Sequence, residues 1–110
     1  MARAGYDVYL GNNRGNQYSN RHIKLDPVRD SRKFHNYSFT EYGKYDLPAQ
    51  IDAALKLSGQ EKLTYVGHSQ GTTQMFYALT QDEPKIMSKV NLFVALAPIV
   101  RPSHSFFSGI

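Results

Sequence analysis

The apolar positions of this chain follow two periods, which together predict alternating strands and helices. Three short runs, rich in β-branched and aromatic residues, are typical of strands: residues 6–10, 63–66 and 90–98. Helical spacing appears in two segments: residues 38–57 and the segment containing Met75, Phe76, Ala78 and Leu79. This alternation favours an α/β fold with a doubly wound parallel sheet. The last apolar run is nearly continuous, so we expect both of its faces to be covered.

The first predicted helix carries signals at both ends. Ser38 and Glu41 have the spacing of a capping box. Asp46 is expected to cap a helix whose first turn holds Pro48, because proline lacks the N–H that an inner turn requires. Gly59 is expected to end this helix, since glycine readily adopts the left-handed conformation found there.

The stretch Gly67-His68-Ser69-Gln70-Gly71 joins the second predicted strand to the second predicted helix. G-x-S-x-G in this position is the layout of a nucleophile elbow, a sharp and strained turn that exposes the serine hydroxyl. We expect glycine at both outer positions because a Cβ atom there would collide with neighbouring atoms. The Gln70 N–H would then open a helix and could donate to an oxyanion. The alternative is a Gly-rich turn with an idle serine.

The histidines do not complete a catalytic pair or a metal site in this sequence. His68 adjoins Ser69, but neighbouring residues on a sharp turn point apart, so we expect it to pack beside the elbow and not to act as the base. His22 and His35 lie in polar surroundings without the spacing of metal ligands, and His104 has no partner that the sequence identifies. We therefore predict no metal and no other cofactor.

Two polar segments are expected to connect the regular elements. Residues 11–16, with two glycines and three asparagines, are expected to adopt positive φ values after the first strand. Strand ends of this kind face the active site in α/β sheets, so the loop could line a pocket or simply turn the chain. Arg14 is predicted to have a structural, not a catalytic, role in that loop. Residues 80–89, which include Pro84, follow the second helix.

Length and charge limit the remaining possibilities. A chain of 110 residues holds at most one domain and is short for the fold in which this motif occurs. We therefore expect residues 1–110 to be a single, truncated domain from inside a longer protein. The net charge is +4, with much of the excess between Arg14 and Lys33. This segment could bind anions or nucleic acid, but a solvated loop is favoured because no nucleic-acid motif accompanies it. Cysteine is absent from the sequence.

With these residues in view, the chain resembles the acid lipase family of α/β-hydrolases, which contains the gastric and lysosomal acid lipases. The resemblance rests on four stretches of the sequence: AGYDVYLGNNRGNQYS, GKYDLPAQID, GQEKL followed by TYVGHSQGTTQ, and FVALAPIV. It implies that Ser69 is the acyl-accepting nucleophile and that the Gln70 amide is one of two oxyanion donors. It also implies triacylglycerol or sterol ester substrates, transient contact with a lipid interface, and a secreted or lysosomal location. In that location Asn36-Tyr37-Ser38 could serve as a glycosylation sequon. The alternative is the capping box of Ser38 and Glu41, which we favour.

The chain departs from the family pattern in two respects. Tyr9 stands where family members often carry tryptophan, which we interpret as a change in packing. The family's second oxyanion donor lies upstream of this chain, and its catalytic Asp and His lie downstream. We expect none of this chain's own candidates to replace them: Asp26, Asp30, Asp46, Asp52, Asp82, His22, His35 and His104. The isolated chain is therefore expected to be inactive, and a non-catalytic lipid-binding or interaction module is the alternative function.

Overall fold

A computed structural model of the chain describes residues 1–101. The described elements, in chain order, are a 3₁₀ turn at Ala2–Ala4, α1 (Ser31–Phe34), α2 (Phe39–Glu41), a π-helical turn at Tyr42–Asp46, α3 (Leu47–Ser58), β1 (Leu63–His68), α4 (Gln70–Lys89) and β2 (Val90–Leu96). β1 and β2 pair in parallel, with α4 as the connection between them. The predicted α/β class, an incomplete parallel sheet with flanking helices, is confirmed. His104, for which the sequence predicts no catalytic or metal-binding role, lies outside the described residues.

The two-stranded sheet packs its helices on one face. Its register runs from Thr64 opposite Leu92 to His68 opposite Leu96, after an irregularity at Asn91. Tyr65 and other inward-facing residues contact the helical core, whereas Leu92 and Leu96 are about half exposed, at 55% and 49%. The expectation that the last strand is covered on both faces is therefore wrong for the described chain, because its helices reach only one face.

Residues 6–10 do not form the predicted strand. The segment carries no strand assignment, and its apolar side chains are exposed, with Leu10 at 86% and Tyr6 at 68%. A strand requires the N–H and C=O groups of a neighbour. Within residues 1–101, β1 and β2 pair only with each other. The prediction recognised residues suited to a strand, but the segment has no partner strand within the described chain.

One helical stretch runs from Phe39 to Ser58 through the π-helical turn, and the structure confirms the capping box that begins it. The Ser38 N–H donates to the Glu41 carboxylate at 2.7 Å, and the Ser38 hydroxyl accepts from the Thr40 N–H. Pro48 is the second residue after the π-helical turn, where the hydrogen-bond ladder changes its spacing and a missing N–H is tolerated. The glycine that ends α3 has φ of 70°, as expected.

Asp46 is not the helix cap that the sequence predicts. Its backbone is already helical, with φ −70° and ψ −48°, and its side chain makes no capping hydrogen bond. The carboxylate instead accepts the Arg14 backbone N–H at 2.8 Å and lies 2.7 Å from the Arg14 guanidinium. The physical reason is that the helical stretch has its cap eight residues earlier, at Ser38, so the N–H groups near Asp46 belong to a continuing helix.

The core lies between the helices and the inner face of the sheet. Its buried side chains are Leu47, Ile51, Met75, Ala78 and Ile86. α4 also includes the polar residues 80–89, which the sequence predicts to follow the helix. Asp82 interrupts α4 with φ −154° and ψ 72°, and its carboxylate accepts the Lys85 N–H, so that Pro84 falls in a new first turn. The helix therefore continues after a bend.

None of the helices in the described part of the chain is both long and apolar enough to cross a membrane.

Candidate nucleophile elbow

Ser69 occupies a strained backbone conformation between β1 and α4. Its φ is 52° and its ψ is −114°, well outside the regions that side-chain-bearing residues favour. Among the described non-glycine residues only Ala97, just after β2, also has positive φ. A conformation of this kind costs about 1–3 kcal/mol and persists only where the surroundings hold it. The sharp, strained turn expected of a nucleophile elbow is thus present at the predicted serine.

Backbone and side-chain hydrogen bonds hold both sides of the turn. The Ser69 N–H donates to the Leu96 carbonyl at 3.0 Å, which ties the turn to the end of β2. The Ser69 carbonyl accepts from the Thr72 N–H at 3.0 Å and from the Thr72 hydroxyl at 2.6 Å. The serine backbone is therefore fixed at its N–H and at its carbonyl.

The two glycines of the motif differ in their steric role. A Cβ at Gly67 would lie 2.8 Å from the Gly71 carbonyl oxygen and 3.0 Å from the Thr72 nitrogen, which are backbone atoms that cannot move aside. A Cβ at Gly71 would meet only the Tyr65 hydroxyl, at an ordinary contact distance of 3.6 Å. The predicted collision is confirmed at position 67 and wrong at position 71, where the added atom would point into available space.

The remaining motif residues lie where a reactant could reach them. Gln70 is the first residue of α4, so its backbone N–H belongs to the helix turn whose N–H groups lack intrahelical partners. Ser69 is half-buried, and His68 and Gln70 are exposed. His68 is the last residue of β1, opposite Leu96. Its predicted role beside the elbow remains a prediction.

Three consecutive buried polar residues follow the motif, and their roles were not predicted. Thr72, Thr73 and Gln74 are 0%, 8% and 4% exposed. The Thr72 hydroxyl accepts the Ile99 N–H at 3.0 Å, and the Thr73 hydroxyl donates to the Ile99 carbonyl at 2.8 Å. These bonds attach the start of α4 to the segment after β2. The sequence signal that could have indicated these roles is the polar triplet itself, which directly precedes the apolar residues of the helix.

Gln74 links α4 to the loop at residues 11–16. The Asn13 side-chain amide donates to the Gln74 carbonyl oxygen at 2.7 Å, so the loop packs against the elbow helix through polar contacts. Within that loop only Gly15 has the expected positive φ, of 81°. The expected structural role of Arg14 is confirmed, although its partner Asp46 lies on the helical stretch and not in the loop.

Two arginines of the basic segment form ion pairs, and His22 accepts backbone hydrogen bonds. Arg29 pairs with Asp30 at 3.0 Å, as Arg14 does with Asp46. The His22 ring accepts the backbone N–H groups of Lys24 and Leu25, which makes it part of a turn. No group of three or more potential metal-binding side chains is found within residues 1–101.

Comparison with known proteins agrees with the fold. The model of the alpha/beta hydrolase fold family matches residues 1–108. The chain therefore belongs to the alpha/beta hydrolase fold family.

Within this class, the chain is similar to proteins named as lipases. It is 50% identical over 105 residues to gastric triacylglycerol lipase of Homo sapiens, covering 96% of this chain and 26% of that protein. It is 48% identical to lipase member K of Homo sapiens, with the same coverage. A probable lipase of Schizosaccharomyces pombe is 46% identical over 102 residues, covering 93% of this chain and 21% of that protein. The chain thus spans about a quarter of the length of these relatives, and the predicted resemblance to acid lipases is confirmed.

Proposed function

We propose that the protein containing this chain is a serine ester hydrolase that acts on neutral lipid esters, with Ser69 as its nucleophile. The observation that carries the proposal is the strained conformation of Ser69 between β1 and α4. Relatives named as triacylglycerol lipases support the substrate class. Triacylglycerols and sterol esters are both neutral esters that such a site would accept.

The reaction proceeds by two acyl transfers. A histidine from another part of the protein takes the Ser69 proton, and the serine oxygen attacks the ester carbonyl. The tetrahedral intermediate expels the alcohol, which receives the proton, and leaves an acyl ester on Ser69. Water, activated by the same histidine, then attacks this ester, releases the fatty acid and restores the serine.

The beginning of α4 stabilises the negative charge that develops on the carbonyl oxygen. The Gln70 backbone N–H serves as one oxyanion donor, supported by the partial positive charge at the helix N-terminus. One donor of this kind typically contributes about 10²–10³-fold to the rate. The second donor comes from elsewhere in the protein. Because Gln70 acts through its backbone, its exposed side chain is free to contact the lipid interface.

Residues 1–110 alone would show almost no turnover. An unassisted serine is a weak nucleophile, and loss of one triad member typically lowers the rate by several powers of ten. His68, which adjoins Ser69 at the end of β1, does not serve as the base in this proposal, because the side chains of adjacent residues on a sharp turn are expected to point apart.

A fluorophosphonate, which reacts with activated serines, tests the proposal in the full-length protein. We expect mass spectrometry to find the adduct on the peptide containing Ser69. Ser69→Ala should abolish labelling, whereas Ser88→Ala, which removes an exposed serine of α4, should leave it unchanged. Absence of label from a folded, lipid-binding wild-type protein would replace this proposal with the non-catalytic lipid-binding module.

A further inference from the structure

We propose that four side chains outside the G-x-S-x-G motif form a positioning relay that holds the nucleophile turn in its strained conformation, an inference that rests on the proposed function of Ser69. The relay consists of Gln50, Asn13, Gln74 and Tyr65, and it ends at the Gly71 carbonyl. Its members come from α3, the loop at residues 11–16, α4 and β1.

The hydrogen bonds of the relay run in one direction. The Gln50 amide donates to the Asn13 carbonyl oxygen at 3.1 Å, and the Asn13 amide donates to the Gln74 carbonyl oxygen at 2.7 Å. The Gln74 amide donates to the Tyr65 hydroxyl at 3.1 Å, and that hydroxyl donates to the Gly71 carbonyl at 2.8 Å. Each internal group both accepts and donates, so each bond strengthens the next.

The relay ends at the peptide between Gly71 and Thr72, which β1 also contacts directly. Gly67 lies against the peptide between Gly71 and Thr72, which is why a Cβ at position 67 would collide with it. Tyr65 lies two residues before Gly67 in β1, on the same face of the strand. β1 thus holds the peptide between Gly71 and Thr72 in two ways: Gly67 packs against it, and the Tyr65 hydroxyl donates a hydrogen bond to its carbonyl. Ser69 lies in the turn between Gly67 and this peptide.

The burial of the relay makes its loss costly. Gln74 is 4% exposed, so removal of the Tyr65 hydroxyl would leave its side-chain amide without an acceptor in a dry environment. Burial raises the pKa of the Tyr65 phenol above its ordinary value, against a smaller lowering by the Gln74 hydrogen bond. The phenol therefore keeps its proton and remains a donor at neutral and acidic pH.

The test compares Tyr65→Phe with Tyr9→Phe in the full-length protein. Tyr9 is a matched control, because its hydroxyl also donates a hydrogen bond, to Asp7, but at an exposed position. Tyr65→Phe should lower the rate constant of fluorophosphonate labelling and kcat by about tenfold, which corresponds to one buried hydrogen bond, with KM unchanged. Tyr9→Phe should leave all three values unchanged. A labelling rate equal to that of the wild type, after correction for the folded fraction, would overturn the relay.

Backbone amide hydrogen exchange separates the relay from the proposed function. In Tyr65→Phe we expect the hydrogen-bonded amides of Ser69 and Thr72 to exchange about tenfold faster, and those at the far end of α4 to keep their rates. Unchanged exchange at Ser69 and Thr72 would overturn the relay even if the enzyme is active. Faster exchange in a protein whose wild type does not label at Ser69 would retain the relay and reject the hydrolase proposal.

A second variant covers the case in which Tyr65→Phe does not fold. Gln50→Met removes the first donor of the relay at a half-buried position of α3, where a side chain of similar length is accommodated. Its effect reaches the turn only through the other members, so labelling should slow by about twofold, less than one direct hydrogen bond would give. A Gln50→Met protein with wild-type labelling and wild-type exchange at residues 69–72 would contradict the relay.

Discussion

Residues 6–10 and β1 are similar in sequence character but differ in structure. Both are short runs of β-branched and aromatic residues, yet residues 6–10 are exposed, whereas β1 pairs with β2 and contacts the core. β1 has its partner strand within the described chain, one helix away. The difference shows that a strand pattern indicates what a segment can form, and that a neighbouring strand determines whether it does.

The contrast extends to how each region is attached. The region from β1 to β2 is held by a parallel ladder and by apolar packing against α3 and α4. The loop that follows residues 6–10 is held mainly by polar side chains, among them Asn13 and Arg14. The elbow therefore combines two strands that pair with each other and polar attachments from a segment that has no partner strand within residues 1–101.

The largest effect is expected when residues 1–110 are produced alone. The open face of the sheet exposes Leu92 and Leu96, and residues 6–10 add further exposed apolar side chains. We expect most of the protein to aggregate at micromolar concentration, because unpaired edges and apolar faces associate. Light scattering checks this, and replacing both leucines with lysine should increase the soluble fraction. A soluble monomer with one cooperative thermal transition would contradict the expectation.

A pair of alanine substitutions tests the steric difference between the two elbow glycines. Gly67→Ala should destabilise the protein by about 3 kcal/mol, because the new Cβ meets backbone atoms of Gly71 and Thr72. Gly71→Ala should be neutral or stabilising by up to about 1 kcal/mol, since it removes a glycine from a helix without a clash. Thermal unfolding of the full-length protein measures both. Equal losses at the two positions would contradict the geometry of the turn.

Asp46→Ala tests the attachment of the polar loop. It removes the acceptor of the Arg14 backbone N–H and of its guanidinium, while the Asp46 side chain is only 10% exposed. We expect a loss of about 2 kcal/mol, as for hydrogen bonds to a charged group. The control is Asp52→Ala, which breaks a more exposed ion pair with Lys89 and should cost less than about 0.5 kcal/mol. Chemical denaturation compares them, and similar losses would refute a structural role for Asp46.

The smallest effect is expected at the capping box. The Ser38 backbone N–H, followed by the Thr40 hydroxyl, lowers the pKa of Glu41. A lowered pKa in the folded state means that the stabilisation is complete at neutral pH and declines as pH falls below about 4.3, the ordinary glutamate value. The difference in Tm between wild type and Glu41→Ala should therefore shrink from pH 7 to pH 3. The exposed Glu61 provides a control, and a constant difference in Tm would argue against the capping role.

The sequence predicts those elements whose signals are local. The capping box at Ser38, the end of α3 at Gly59, and the strand, turn and helix around Ser69 each depend on residues close together in the chain. Asp46 also carries a local capping signal, but an ion pair with Arg14, across 32 residues, takes its carboxylate. Local patterns thus identify candidates, and distant partners decide between competing uses.

The polar relay could not be predicted for the same reason. Asn13 and Gln74 are 61 residues apart, and Asn13 and Gln50 are 37 apart, without a periodic pattern to connect them. Residues of these types occur commonly on surfaces and in loops. Only the folded chain brings their amides together behind the elbow, where their burial gives them a role.

Turnover of a triacylglycerol by the full-length Ser69→Ala variant tests the central claim most directly. Removal of a catalytic serine typically lowers kcat by about 10⁶-fold, and we expect a loss of at least about 10⁴-fold with an unchanged Tm. Ser88→Ala, in α4, should retain the wild-type rate. Residual activity within about tenfold of the wild type in Ser69→Ala would show that another residue performs the chemistry and would contradict the account.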